Sequence, residues 1–338
     1  MRHESGHLDL RGAWSQELSA IAIIGEAELR ALVSPSRAVE VIRGAFRADG
    51  HGRAHVPPVI NLEVPSGPGE FHVKTAHVEG VPHIAVKVAS GFYDDPSKGL
   101  PSGSGLMALF DASTGLPAAL LLDNGFLTDL RTGAAGAVAA DVLARRAIGT
   151  VGVIGSGLQA RYQVRCLRIV REFSRIIAWG RTRAHLDAYC AEMHAEGCDA
   201  TPAGTVEEVC SLEDVVITTT PSRTPLVRAE WLRPGMHVTA VGADSPGKQE
   251  LDAACFRRAN LVVVDRLSQC EAFGDLAPAL AAGVVERHTV VELGRIVAGQ
   301  HPGRSADDQI TIADLTGVGF QDTAIASAAL AALGSVSI

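Results

Sequence analysis

The chain has 338 residues, 47% of them hydrophobic, 20% charged and 4% aromatic, and a formal net charge of −8. That length accommodates two domains with full cores, and the composition is that of a globular α/β protein and not of a disordered chain. An acidic balance with no Lys/Arg run and few aromatic rings excludes a nucleic-acid face and points to a small-molecule partner.

Residues 1–20 are polar, include His3 and His7 and hold no apolar stretch, so they read as an extension and neither as a signal peptide nor as a membrane anchor. No apolar run reaches the roughly eighteen residues needed to cross a bilayer, so no membrane partner is expected. The six Cys form no C-x-x-C pair and the twelve His show no metal-ligand spacing. Reduced thiols, a cytoplasmic location and no metal follow as expectations.

Helical spacing over 26–33 and 34–46 predicts two amphipathic helices, with Ser34 or Ser36 as an N-cap. Short alternating or apolar runs at 59–63, 70–77, 84–90, 105–111 and 118–123, separated by Gly, Pro, Ser and Asp, predict strands with tight connections. They imply a mostly antiparallel or mixed sheet, and the breaker-rich loop 92–105 between them is placed to border an active site. At Leu127-Thr128-Asp129-Leu130-Arg131-Thr132 an Ala-rich helix opens and runs to about Arg146, with Thr128 as its expected cap. From Thr150 to about Asp314 strands and helices alternate, with strands at 175–179, near 215–219, at 237–242 and at 261–264. This order predicts a Rossmann-type, doubly wound parallel sheet. The tail, 321–333, is another Ala-rich helix expected to return onto the first domain. The expected division is an extension at 1–20, an α+β substrate and dimerisation domain of 21–127 with 317–338, and a dinucleotide-binding domain of 128–316.

The segment Gly155-Ser156-Gly157-Leu158-Gln159-Ala160 follows an apolar strand and opens a helix, which is the G-x-G-x-x-A turn of a dinucleotide site. Gly155 permits the tight turn, Gly157 lets backbone N–H groups approach a pyrophosphate, and Ala160 lets the helix pack close to the strand. About twenty residues on, the second strand ends in Gly180-Arg181-Thr182 instead of an acid, so Arg181 and Thr182 are candidates to hold a 2′-phosphate and NADP(H) is the expected cofactor over NAD(H). Asp244 follows the strand 237–242 and therefore lies at the carboxyl end of a parallel strand, where ligands bind in open α/β sheets. A carboxylate there suits proton transfer; the alternative is a cap of the turn Ser245-Pro246-Gly247.

These residues together resemble the ornithine cyclodeaminase/mu-crystallin family. The resemblance rests on Lys87, Gly99-Leu100-Pro101, the segment from Leu127 to Thr132, the glycine turn, Ala240-Val241-Gly242-Ala243-Asp244-Ser245-Pro246-Gly247-Lys248 and Asp314-Leu315-Thr316-Gly317-Val318-Gly319. Val56-Pro57-Pro58, Val73-Lys74-Thr75-Ala76 and Leu121-Leu122-Asp123-Asn124-Gly125 look most like the cyclodeaminases of ectoine utilisation. The resemblance implies a homodimer and a nicotinamide cofactor, NAD(P), exchanging hydride with the α-carbon of a small amino or imino acid. A cyclodeaminase acting on a diamino acid is the expected reaction. The alternatives are a ketimine or imino-acid reductase, an amino-acid dehydrogenase, and a non-catalytic binding protein like mu-crystallin.

Residue by residue, the resemblance implies Asp244 and Lys87 as catalytic groups and Lys87, Arg131 and Lys74 as substrate-binding cations. It implies cofactor contacts from Arg131, Thr132, Gly155, Ser156, Gly157, Leu158, Gln159, Ala160, Gly180, Arg181, Thr182, Thr219, Thr220, Val241, Gly242 and Gly317. Each base could instead be salt-bridged. Thr132 is expected near a helix start, and Gly133 is tolerable in a helix only if something packs close to it. Pro58 and His72 stand where ornithine cyclodeaminases carry an Arg and a Glu, which puts ornithine itself in doubt.

Overall fold

A computed structural model describes residues 21–64, 69–92, 94–211 and 214–336, so the extension expected at 1–20 lies outside the described residues. The first sheet holds β1 (Ala22–Gly25), β2 (Ala54–His55), β3 (Ile60–Val64), β4 (Gly69–Val78), β5 (His83–Phe92), β6 (Gly103–Asp111) and β7 (Pro117–Leu122). Its order is β1-β7-β6-β5-β4-β2, with β3 also on β4. All pairs are antiparallel except β1 with β7. The second sheet holds β8 (Thr150–Ile154), β9 (Arg175–Trp179), β10 (Asp199–Pro202), β11 (Val215–Thr218), β12 (His237–Ala240), β13 (Leu261–Val264), β14 (Val291–Glu292) and β15 (Thr311–Asp314). Its order is β10-β9-β8-β11-β12-β15-β13-β14, and every pair is parallel. The order reverses between β8 and β11, the switch point at which such sheets open a crevice.

Five strands escape the sequence pattern. Strands β1 and β2 are too short to show alternation, and β10, reading Asp-Ala-Thr-Pro, has neither period nor apolar run. The pairs and quartets of β14 and β15 are likewise below the length at which periodicity is legible.

Helix Pro35–Gly50 begins as expected, with Ser34 Oγ accepting from Arg37 N–H and Pro35 in the first turn. The helix Phe126–Leu143 corrects the expectation for Thr128. Its N-cap is Gly125, in the left-handed region at φ 86°, and the carboxylate of Asp123 accepts the Leu127 N–H at 2.8 Å. Thr128 therefore lies inside the helix, where its carbonyl accepts from the Thr132 hydroxyl. Thr132 belongs to the second turn and not to the helix start, because the acid two residues before the glycine does the capping.

That helix packs face to face with Leu158–Val170. A Cβ at Gly133 would stand 2.6 Å from the Tyr162 carbonyl, and one at Gly136 would meet Gln163. The close approach is what makes glycine necessary at both positions. The C-terminal helix Gly319–Val336 lies on β4 and β5, its first turn so near that a Cβ at Gly319 would meet the Thr75 carbonyl at 2.2 Å. Phe320 closes edge-on against Phe46, with ring centroids 5.3 Å apart. The chain end is thus threaded back against the first sheet, and its first turn enters the cleft between the sheets.

Candidate active site

The crevice above β8, β9 and β11 has the shape a dinucleotide needs. Gly155 sits at φ 117°, open only to glycine, and a Cβ there would collide with Thr219 Oγ1 at 2.4 Å. Gly157 caps the thirteen-residue helix Leu158–Val170, and a Cβ on it would enter open space, so the helix's free N–H groups face a vacant approach. A Cβ on Gly180 would strike Ser156 Oγ, which keeps the ends of β8 and β9 in contact. Ala160 is fully buried. These features fit a pyrophosphate at the helix N-terminus.

Arg181 and Thr182 are exposed beyond β9. Thr182 holds the N-cap position of Arg183–Ala195, yet its hydroxyl makes no cap bond. Leu158 is half exposed at the helix start, whereas the Gln159 side chain turns away and donates to the Asp129 carboxylate at 2.8 Å. Burial raises the Asp129 carboxyl to about 6, against that hydrogen bond.

The strand ends opposite are held by a residue with no sequence signal. Buried Glu250 accepts from the Thr218 hydroxyl at 2.6 Å, from the Thr220 N–H at 2.5 Å and hydroxyl at 2.7 Å, and from the Gly242 N–H at 2.8 Å. The donors of Thr220 and Gly242 are therefore turned inward to Glu250, and Val241 is buried in the core. Gly317, at φ 77°, lies against Arg131, and its carbonyl accepts from Lys74 and Gln269. Gly317 thus supports the cations described next.

Between the sheets sits a buried charge cluster. Lys74 and Lys87 are cross-strand neighbours on β4 and β5 and face the same side. The Lys87 ammonium is 3.2 Å from Asp322 Oδ2, and Arg131 Nε donates to Asp322 Oδ1 at 2.8 Å. Lys74 donates to the carbonyls of Thr316 and Gly317 at 3.0 and 2.7 Å. All four side chains are almost wholly inaccessible. Three cations thus surround one anion. Burial pushes both lysines down, Lys87 to about 7, with Arg131 adding to the effect and Asp322 opposing it. Burial raises the Asp322 carboxyl, but Arg131, Lys87 and Lys74 outweigh it and hold it below the usual range. The excess of positive charge is matched to a second carboxylate.

Asp244 stands beyond β12, facing β4. Lys248 Nζ donates to its Oδ1 at 2.7 Å, and burial, which raises the carboxyl, is outweighed by Lys248, Lys74 and His72. About half of the side chain remains accessible, so Asp244 is ionised and reachable from the cleft. Among the described residues the ammonium of Lys248, and not the backbone of the Ser245 turn, holds this carboxylate.

The structure therefore brings together Lys74, Lys87, Arg131 and Asp244, and adds Asp322, Glu250 and Glu70, which the sequence reading missed. Asp322 had a legible signal: it is the only charged residue in an Ala-rich, eighteen-residue apolar helix, and a lone charge there calls for a buried partner. All six Cys are free and buried. Among the described residues no group of His, Cys, Asp or Glu could hold a metal ion, and no helix is long and apolar enough to cross a membrane.

Residues 21–331 match the model of the ornithine cyclodeaminase/mu-crystallin family. The chain is 42% identical to the uncharacterized cyclodeaminase y4tK of Sinorhizobium fredii, over 92% of this chain and 96% of that one. An archaeal alanine dehydrogenase dimer with bound NAD superposes with a TM-score of 0.88 at 35% identity, covering 94% of this chain and 97% of the other. The Δ1-pyrroline-2-carboxylate reductase of Thermococcus litoralis, solved with NADH and L-proline, superposes with a TM-score of 0.90 at 29% identity, covering 94% and 99%.

Proposed function

Since the chain belongs to the ornithine cyclodeaminase/mu-crystallin family and is an NAD(P)-dependent enzyme of it, we propose that it interconverts a small α-imino acid and the corresponding α-amino acid. The observation that carries this reading is the buried cluster of Lys74, Lys87 and Arg131 around Asp322, with accessible Asp244 across the cleft. Lys87 and Arg131 hold the α-carboxylate, the arginine through its planar fork. A carboxylate held there would leave the α-carbon in the cleft between the sheets, with its nitrogen toward Asp244. The Gly155–Ala160 turn would hold the pyrophosphate of a nicotinamide dinucleotide, which when bound would supply or accept the hydride. In the oxidative direction Asp244 takes the ammonium proton before hydride leaves; in the reductive direction it returns a proton to nitrogen. Lys87, whose proton is weakly held, is the second proton carrier.

Cyclising deamination of a diamino acid is the second reading, supported by the relationship to y4tK. It needs an acceptor for a distal ammonium. The carboxylate that β4 offers on this face, Glu70, is already engaged by Lys248 and His72, which favours net redox over cyclisation.

Arg181 and Thr182, exposed and without an acid beside them, support a preference for NADP(H), although the two superposed relatives were solved with NAD or NADH. The outer face of the first sheet supports a homodimer. Ile23, Ile60, Leu62 and Leu122 are 67%, 64%, 59% and 43% exposed on it, an apolar area that a second copy would cover. The division into domains at 127/128 and 316/317 is proposed with it.

The test is turnover with NADH and with NADPH on Δ1-pyrroline-2-carboxylate and on pyruvate with ammonium, and with catalytic NAD(P) on ornithine, lysine and 2,4-diaminobutyrate, products identified by mass. Asp244→Asn is expected to keep cofactor affinity and lose about a hundredfold in turnover. Cofactor binding without turnover of any of these compounds would favour the binding-protein alternative.

A further inference from the structure

An ionic chain leads from Asp244 across the cleft to the first sheet. The buried ammonium of Lys248 lies 2.7 Å from Asp244 Oδ1 and 3.1 Å from Glu70 Oε1. His72 Nε2 is 3.4 Å from the same Glu70 oxygen, and His72 Nδ1 is 2.6 Å from Oδ1 of Asn61, its cross-strand neighbour on β3. An amide oxygen only accepts, so His72 Nδ1 carries a hydrogen and donates it to Asn61, and Nε2, buried without a hydrogen bond, is turned to the Glu70 carboxylate, where a second hydrogen on it would complete the chain. Glu70, His72 and Lys74 alternate along one face of β4, so a single strand carries both this chain and one of the substrate-binding cations.

One ammonium therefore serves two carboxylates, one from β4 and one from the loop beyond β12. We propose that Glu70 is a positioning residue for proton transfer at Asp244, acting through Lys248. By drawing Lys248 toward β4 it fixes Asp244 over the cation cluster. By sharing the positive charge it keeps the Asp244 carboxylate a stronger base than an undivided ammonium would allow. The charged groups facing Asp244 are Lys248 from its own loop and Lys74 and His72 from β4, with Glu70 behind Lys248. Removing Glu70 or Lys248 therefore changes the field in opposite senses. This role of Glu70 rests on Asp244 being the proton-transfer group.

The test is the pH dependence of kcat/KM for Glu70→Gln, Lys248→Met and Lys248→Arg in the oxidative direction, where Asp244 must be ionised to take the ammonium proton, using L-proline and NAD or NADP as the probe pair. In Glu70→Gln the Lys248 ammonium no longer shares its charge with the Glu70 carboxylate; the acidic limb moves down by about half a pH unit and kcat falls about tenfold, with KM within about threefold. In Lys248→Met the cation is gone and Glu70 faces Asp244; the limb moves up by about one pH unit or more. Lys248→Arg keeps the charge and restores the limb to near its wild-type position. A second readout needs no turnover: the 13C-labelled carboxyl of Asp244, assigned by its loss in Asp244→Asn, titrates at lower pH than in the wild type in Glu70→Gln and at higher pH in Lys248→Met. Limbs and carboxyl titrations that coincide with wild type in both variants, or that move the same way, overturn the bridge and leave the role of Asp244 standing. Turnover of Asp244→Asn within a few-fold of wild type overturns both.

Discussion

Replacing Asp322 by Asn keeps the shape of the side chain and removes the charge that Lys87 and Arg131 share at 3.2 and 2.8 Å. Breaking a buried ion pair from one side costs about 3–5 kcal/mol, because the remaining charge is left uncompensated. Here part of that cost is escapable. Lys87 already releases its proton at about 7, and loss of Asp322, which raises it, lowers it further. At about pH 6 the wild-type lysine is charged, so the variant must either bury an unpaired ammonium or neutralise it, at about 1.4 kcal/mol for each tenfold loss of proton affinity. At about pH 9 Lys87 is neutral in both proteins, and only the contact with Arg131 is lost. A lysine whose folded value lies below its unfolded one adds stability as pH rises between the two, and in the variant that rise begins at lower pH. The two stability curves therefore converge as pH passes about 7. The expected loss is about 3–5 kcal/mol at pH 6, or roughly 6–10 °C in Tm, and about 1–2 kcal/mol less at pH 9. Thermal melts of both proteins at the two pH values measure this directly. Tm values within about 2 °C of wild type, or an equal loss at both pH values, would refute the shared-anion account.

The cationic form of Lys87 is needed to hold a carboxylate, so kcat/KM is expected to fall as pH rises through about 7, and Lys87→Met to lower it about a hundredfold and flatten that limb. A pH profile with an unchanged limb in Lys87→Met would assign the titration elsewhere. His237, buried between the hydroxyls of Thr311 and Thr239, is lowered to about 3 by burial, with Arg304 adding to the effect. Its stabilising contribution is present above its unfolded value, about 6.5, and is lost as pH falls from there toward 3. Urea midpoints of His237→Gln across that window are expected to show a shallower slope than wild type. Arg181→Ala is expected to weaken NADP(H) about tenfold or more and to leave NAD(H) within about twofold, as read by fluorescence titration.

What the sequence determined by itself was local. The turn at Gly155–Ala160 declares its geometry because the conformation it needs, φ 117° at Gly155, is open to glycine alone. Ser34 caps its helix because the donor it satisfies is three residues away. The antiparallel and parallel sheets are separable because tight turns and β–α alternation are written in short stretches of chain. Thr128 shows the limit of that reasoning: a cap residue of the right type stood at the right place, and Asp123 with a left-handed Gly125 did the work instead. The site was decided by the tertiary structure. Asp322 reaches Arg131 across 191 positions, Lys248 reaches Glu70 across 178, and Glu250 gathers the ends of β11 and β12 from a segment with no motif. A buried charge is stabilised by whatever partner the fold delivers. Pairing over such separations leaves no periodicity or spacing to read, and only the return of the C-terminal helix into the cleft between the sheets set the anion among its cations.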